Sequence, residues 1–318
     1  MRVFIGIDTS NYTTSCAICD YNGEIIKNYK CLLPVKEGER GLRQSDAVFA
    51  HIKNFEKIAE LIKEKHANYE IAGIGYSAYP RDVSGSYMPC FLVGKALAEM
   101  ISALYNIPVF PFSHQAGHIQ SAIYSSGYDA RERFIAFHVS GGTTEIVLAE
   151  QSDTGFNIQL LGGSNDLHAG QAIDRIGVEM GLKFPCGKEI EALALKNTMP
   201  LPPINVSVKG FCCNMSGLEN LAIKLYKQTE KKELVSSFVL AFISKTLKKL
   251  TLNLREKFGN IDIVFAGGVM SNTIIKDELI KLGNVYFAKP EFSTDNAAGI
   301  SLLARKRYLQ GVDNGTTL

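Results

Sequence analysis

The chain has 318 residues, of which 46% are hydrophobic and 21% charged, with a net charge of +2. That composition excludes a disordered chain, and the length suits two lobes of ordinary domain size. The near-neutral charge by itself selects no class of partner.

In chain order, the first feature is an apolar strand running into a polar turn, Phe4-Ile5-Gly6-Ile7-Asp8-Thr9-Ser10-Asn11-Tyr12-Thr13-Thr14-Ser15-Cys16-Ala17-Ile18. Asp8 places an acid inside this first apolar run. A secretory leader would not do that, and no stretch reaches the roughly 18 uncharged apolar residues of a membrane helix. The expectation is a cytoplasmic protein without a membrane segment. Cys16 and Cys19 have C-x-x-C spacing, but on a strand positions i and i+3 face opposite sides. Buried reduced thiols are the better reading of the seven cysteines, and they fit a reducing compartment.

Helical periodicity follows at 47–66 and 91–105, with strands expected at 71–77 and 109–112. His51 and His66 lie on the first of these helices and read as structural. Further on, Phe134-Ile135-Ala136-Phe137-His138-Val139-Ser140-Gly141-Gly142-Thr143-Thr144-Glu145 repeats the opening pattern. Ser10, Thr13 and Thr14 match Ser140, Thr143 and Thr144 at one fixed offset. Each copy is strand, Ser-x-x-Thr-Thr turn, strand, and each turn tip offers hydroxyls and backbone N–H groups that suit a phosphate. Two such copies far apart point to duplicated lobes rather than a solenoid.

Helices are expected again at 234–258, 272–282 and 296–308, and strands at 261–266 and 285–288. Hairpins followed by alternating helix and strand give an α/β architecture with a ligand crevice between its halves. The expected division is 1–125 plus 296–318 against 126–295. The basic stretch at 224–257 is read as a solvated helix face in preference to a nucleic-acid patch.

Four segments carry chemistry. His114-Gln115-Ala116-Gly117-His118 puts two imidazoles one turn apart, with Ser113 as N-cap. The pair suits one metal ion, and surface or capping histidines are an equal alternative on spacing alone. Gln115 stands where a zinc peptidase needs its general-base Glu, so the peptidase mechanism is lost. Asp295, at a strand-to-helix junction, can complete a His2Asp site or simply cap the helix. Gly267-Gly268 before Asn272 allows close ligand approach, and Asp174, early in a helix opened by Gly170, can accept from ribose hydroxyls. Asp174 also fits an ordinary surface acid beside Arg175 and Glu179.

Taken in order, these segments resemble the TsaD family, the threonylcarbamoyl transferases once labelled glycoproteases or O-sialoglycoprotein endopeptidases. Gly6-Ile7-Asp8-Thr9-Ser10 is similar to the family's G-I-E-T-S, and His114-x-x-x-His118 to its H-x-x-x-H. His138-Val139-Ser140-Gly141-Gly142-Thr143-Thr144 resembles H-V-S-G-G-H-T, and Gly170 to Asp174 resembles G-E-A-F-D. Pro185-Cys186-Gly187 is similar to P-G-G, Gly267 to Asn272 to G-G-V-S-A-N, and Thr294 to Ala298 to T-D-N-A-A.

The resemblance implies a two-lobed actin-like, Hsp70-like and sugar-kinase-like fold with RNase H-like lobes. It implies a metal-dependent acyltransferase with Fe2+ or Zn2+ on His114, His118 and Asp295. Ser10, Val139, Ser140, Gly141, Gly142, Thr143, Asp174, Gly187, Gly267, Gly268 and Asn272 would line the adenylate site, with no side chain implied as nucleophile or base. The implied substrate is threonylcarbamoyl-AMP, with ATP or ADP as further nucleotides. The acceptor would be N6 of the adenosine 3′ to the anticodon in ANN-reading tRNAs. Implied helpers are an inactive TsaB-like paralogue and a TsaE-like ATPase, in a homodimer or heterodimer.

The chain departs from the pattern at several points. Thr143 replaces His, Asp8 replaces Glu, Asn11-Tyr12 replaces Cys-Asp, and Cys186 replaces Gly. Asp166 to Gly170 is altered from D-D-A-A-G. Phe211 to Glu219 resembles F-S-F-S-G-L-K with Glu219 where the family has Lys. These departures suit a divergent paralogue, for which a carbamoyl transfer to another acceptor and a non-catalytic partner subunit are the alternatives.

Overall fold

A computed structural model describes residues 1–10, 12–34, 42–64, 69–130, 132–152 and 155–313. It divides into two compact units. The first comprises Met1–Tyr124, Gln151–Ile158 and Thr294–Leu318, and the second Ser125–Glu150 and Gln159–Ser293. The division expected from sequence differs at Ser125, at Gln151–Ile158 and at Thr294 and Asp295. Asp295 therefore belongs with the two histidines.

In chain order the first half holds β1 (Arg2–Ser10), β2 (Thr13–Asp20), β3 (Ile25–Leu32), α1 (Gln44–Glu64), β4 (Glu70–Tyr79), α2 (Phe91–Tyr105), β5 (Val109–Ser113) and α3 (His114–Ser126). Then come β6 (Arg133–Val139), β7 (Thr144–Ser152), β8 (Gly155–Ser164), α4 (Ala169–Glu179), α5 (Gly187–Ala194), β9 (Ser207–Lys209), β10 (Cys212–Asn214), α6 (Ser216–Thr229) and α7 (Lys232–Phe258). The chain ends with β11 (Ile263–Ala266), a 3-10 turn (Gly268–Ser271), α8 (Thr273–Ile280), β12 (Val285–Phe287), α9 (Pro290–Ser293) and α10 (Ala298–Asp313). The expected helix end at His66 lies outside the described residues.

The first sheet has the order β3-β2-β1-β4-β5, with β1 antiparallel to β2 and parallel to β4. The second has the order β12-β11-β6-β7-β8-β10-β9, with β6 antiparallel to β7 and parallel to β11. Read from its third strand, each half runs hairpin strand, hairpin strand, then two crossover strands on the far side. The repeat seen in the sequence is thus a repeat of topology.

Strand alternation decides what each face of the first sheet meets. On one face Ile7, Ile74 and Tyr76 pack against Ala98 of α2. On the other, Gly6 and Gly75 admit α10 so closely that a Cβ on Gly6 would lie 2.4 Å from Ala297 O. Asp8 shares the face of Gly6. In the second unit the core gathers on α7, whose Leu234, Phe238, Phe242, Leu247 and Leu254 are buried. Among the described residues all seven cysteines are free, and Cys16 and Cys19 are buried on β2. No helix of the described residues is long and apolar enough to cross a membrane.

Candidate metal centre

Ser113 ends β5 and caps α3. Its Oγ accepts from the Ala116 N–H at 3.0 Å, which satisfies one of the first-turn donors. The same hydroxyl donates to Asp82 Oδ2 at 2.5 Å. The cap starts the helix at His114, so His114 and His118 fall on one face one turn apart.

Helix α10 brings the third group. Asn296, not Asp295, is the cap of α10: its Oδ1 accepts from Ala298 N–H and from Ser121 Oγ of α3, each at 3.0 Å. Ser121 Oγ in turn accepts from Gly299 N–H at 2.8 Å. The capping task taken by Asn296 leaves the Asp295 carboxylate to the histidines.

The three side chains form a small triangle. His118 Nε2 is 2.9 Å from His114 Nε2. Asp295 Oδ1 is 3.2 Å from His118 Nε2 and 3.6 Å from His114 Nε2. His118 is buried, and His114 and Asp295 are half-buried. Two imidazole nitrogens this close to each other and to one carboxylate oxygen need a proton or a cation among them. A divalent cation accepts all three donors, and an N,N,O set suits Zn2+ or Fe2+ with positions left open for substrate.

Behind the triangle, His114 Nδ1 meets Asp8 Oδ1 at 2.9 Å, and Ser77 Oγ donates to the same oxygen. Asp8 is fully buried. The charges interlock. Burial disfavours protonated His114, but the Asp8 and Asp295 carboxylates outweigh it and raise its pKa to about 10. Burial opposes ionisation of Asp295 too, yet its hydrogen bonds to His114 and His118 hold it well below the ordinary carboxylate range. The same balance, set by His114 and Ser77, lowers Asp8.

The second unit gathers most of the other residues named from sequence. Ser140 N–H bonds Thr143 O at 2.7 Å and closes the β6–β7 turn. Helix α4 starts against it: Gly170 N–H donates to Ser140 O at 3.1 Å, and Ala169 N–H to Thr144 Oγ1 at 3.0 Å. A Cβ on Gly170 would sit 2.7 Å from Gly141 N. Gly267, with φ +100°, lies on Val139: a Cβ there would meet Val139 O at 2.3 Å. Val139 to Thr143 therefore meet the start of α4 and Gly267, and Gly141, Gly142 and Gly268 open onto free space.

Asp174 lies further along α4. Its Oδ1 accepts from Cys186 N–H at 2.8 Å, just before Gly187 opens α5. Burial raises its pKa. Its neighbour Arg175 pairs with Glu219 at 3.2 Å. Asn272 caps α8, with Oδ1 accepting from Ile275 N–H at 3.1 Å, so that oxygen serves the helix. Ser10 belongs to the first unit, where its Oγ is buried without a hydrogen-bond partner.

Sequence reasoning missed Asp8 as the partner of His114. The available signal was an acid inside an apolar strand. It also missed the Ser121–Asn296 link, which joins helices far apart in the chain.

Comparison with known proteins gives the family and the fold class. The pattern of the TsaD family, described as tRNA N6-adenosine threonylcarbamoyltransferase, matches residues 38–302. A Buchnera aphidicola protein named tRNA N6-adenosine threonylcarbamoyltransferase is 32% identical over 96% of this chain and 92% of its own. One of the same name from Kosmotoga olearia is 34% identical over 70% of this chain and 68% of its own. Among solved structures, full-length HypF in its phosphate- and nucleotide-bound form matches with a TM-score of 0.59 at 11% identity, covering 98% of this chain and 55% of HypF. Component A of the Acidaminococcus fermentans (R)-2-hydroxyglutaryl-CoA dehydratase matches with a TM-score of 0.55 at 16% identity, over 97% of this chain and 100% of that one. These structural likenesses place the fold in the actin-like, sugar-kinase-like class. The sequence matches go further, and the chain belongs to the TsaD family.

Proposed function

We propose that this chain transfers a threonylcarbamoyl group from threonylcarbamoyl-AMP to N6 of the adenosine 3′ to the anticodon of ANN-reading tRNAs. The observation that carries the reading is the His114–His118–Asp295 triangle in a chain of the TsaD family. His114, His118 and Asp295 would hold Fe2+ or Zn2+, which would supply Lewis-acid polarisation of the carbamoyl oxygen.

The chain's own residues bind and orient. Gly141 and Gly142, exposed and without side chains, let a phosphate approach the backbone of the turn beside the start of α4. The second carboxylate oxygen of Asp174 receives ribose hydroxyls. The adenosine N6 amine attacks the carbamoyl carbon, the bond from that carbon to the phosphate oxygen breaks, and AMP leaves as the amine loses a proton. Binding fixes the two reactants in line, and no side-chain nucleophile is needed. A TsaB-like paralogue and a TsaE-like ATPase are the helper proteins in this reading, and the cytoplasm is its compartment.

Glu219 favours a second reading. It stands where the family has Lys and neutralises Arg175. A basic group for phosphate is therefore lost on this face, which suits a carbamoyl transfer to a different acceptor.

The test is transfer in vitro with threonylcarbamoyl-AMP, unmodified ANN-reading tRNA and the helper proteins of the same host. Mass spectrometry of digested tRNA reads N6-threonylcarbamoyladenosine. Product with the native chain and none with His114→Ala plus His118→Ala is the expected result. No product, while an established family member works in parallel, would overturn the tRNA acceptor.

A further inference from the structure

We propose that Asp8, held by Ser77, is the positioning residue of the metal centre: it fixes the tautomer and the ring direction of His114 without itself being a ligand. The inference rests on the metal reading above and extends the centre to the first strand of the chain.

The geometry begins with an unusual placement. Asp8 lies inside β1 and is 0% exposed, where an ionised carboxylate needs compensating partners. It has two on one oxygen. Ser77 of the neighbouring parallel strand β4 donates to Oδ1, and His114 Nδ1 lies 2.9 Å from the same atom. The strands set this up: Ile7 pairs with Tyr76, so the next residues, Asp8 and Ser77, emerge together. Both follow the face of Gly6 and Gly75, on which α10 rests.

A carboxylate oxygen at Nδ1 has a definite chemical consequence. Nδ1 must carry the proton, because its lone pair facing the carboxylate would be repelled. The Nε2 lone pair is then the one left for an ion, on the side of His118 Nε2 and Asp295 Oδ1. Asp8 Oδ1 and the triangle sit at opposite nitrogens of the ring, so Asp8 cannot share the ion with His114. It acts through it. Ser77, 1% exposed, fixes the carboxylate's rotation, so the ring plane is set before an ion arrives. The other carboxylate oxygen, Oδ2, is buried with no hydrogen-bond partner, so the packing spends a desolvated atom to keep the charge at this position.

Cobalt(II) titration of the chelator-stripped, full-length protein tests this, with d–d absorption as the spectroscopic readout. The native protein is expected to bind cobalt. Asp8→Asn, which removes the charge at nearly constant shape, is expected to lower cobalt affinity by about 10- to 100-fold and to shift the d–d bands. Ser77→Ala keeps the carboxylate but frees its rotation, and a smaller loss, about threefold or more, is expected. A folded Asp8→Asn protein with native affinity and native bands overturns the proposal. If Asp8→Asn does not fold, Ser77→Ala decides: unchanged affinity and bands overturn it, and a weakened site supports it. Failure of the native protein to bind cobalt sinks the metal reading itself, which separates the two failures.

Discussion

Gly299 of α10 sits so close to Gly117 of α3 that a Cβ on Gly299 would lie 1.9 Å from Gly117 O. This crossing is what brings Asp295, just before α10, up to His118, one residue after Gly117. The Ser121–Asn296 and Ser121–Gly299 hydrogen bonds lock the same crossing. Gly299→Ala is therefore expected to part the helices, destabilise the fold by about 3 kcal/mol and weaken metal binding together. Thermal melts and a metal titration check both effects. A variant with native stability would refute the close crossing.

Asp295→Asn keeps the size of the side chain and removes its charge. It leaves two imidazoles with a weaker third donor, so metal content after purification is expected to fall and transfer to drop by at least about 100-fold. Elemental analysis beside the transfer assay reads the two quantities. Asp295→Asn with full metal and full activity would show that Asp295 is not a ligand.

The metal-free protein has a pH signature. Its His114 pKa is raised from 6.5 to about 10, so the stability that protonation contributes is fully present below pH 6.5 and lost as pH rises through about 10. A bound metal displaces that proton, so metal affinity is expected to rise with pH over the same window. Melting the stripped and the loaded protein from pH 6 to 10 should show the first losing stability while the gap between them widens. Parallel profiles would contradict this.

His51 gives an opposite sign on the acid side. It is fully buried on α1 with Nδ1 at 2.8 Å from Thr14 Oγ1, and burial lowers its pKa to about 4. Below pH 6.5 the unfolded chain takes up a proton that the folded chain refuses, so stability falls as pH drops toward 4, by up to about 3 kcal/mol. Replacing His51 by Gln, which does not titrate, is expected to flatten this part of the acid profile.

Much of this was legible in the sequence, and the rest was not for identifiable reasons. The hairpin repeat exposed both sheets because Ser10 and Ser140 sit in the same local context. Helices α2 and α7 showed plain periodicity with few interruptions. The edge strand β3 was missed because Lys27 and Lys30 break its alternation, and all of it is at most half-buried. Strands β9 and β10, three residues each, are too short for any period to register. The histidine pair was readable from its i, i+4 spacing, a property of one helix. Asp8 was not readable as its partner, since that contact spans 106 positions and depends on how β1, β4 and α3 meet. From sequence the cap of α10 reads as an alternative task for Asp295, and Asn296 was missed, because its link to Ser121 depends on another helix.

The proposed metal dependence of transfer can be measured outright. Transfer of the threonylcarbamoyl group to tRNA is followed with the protein as purified, after chelation to trace metal, and after readdition of Fe2+ or Zn2+. Product, then none, then product restored by at least one of the two ions is expected. Transfer that continues undiminished in protein stripped of metal would contradict it.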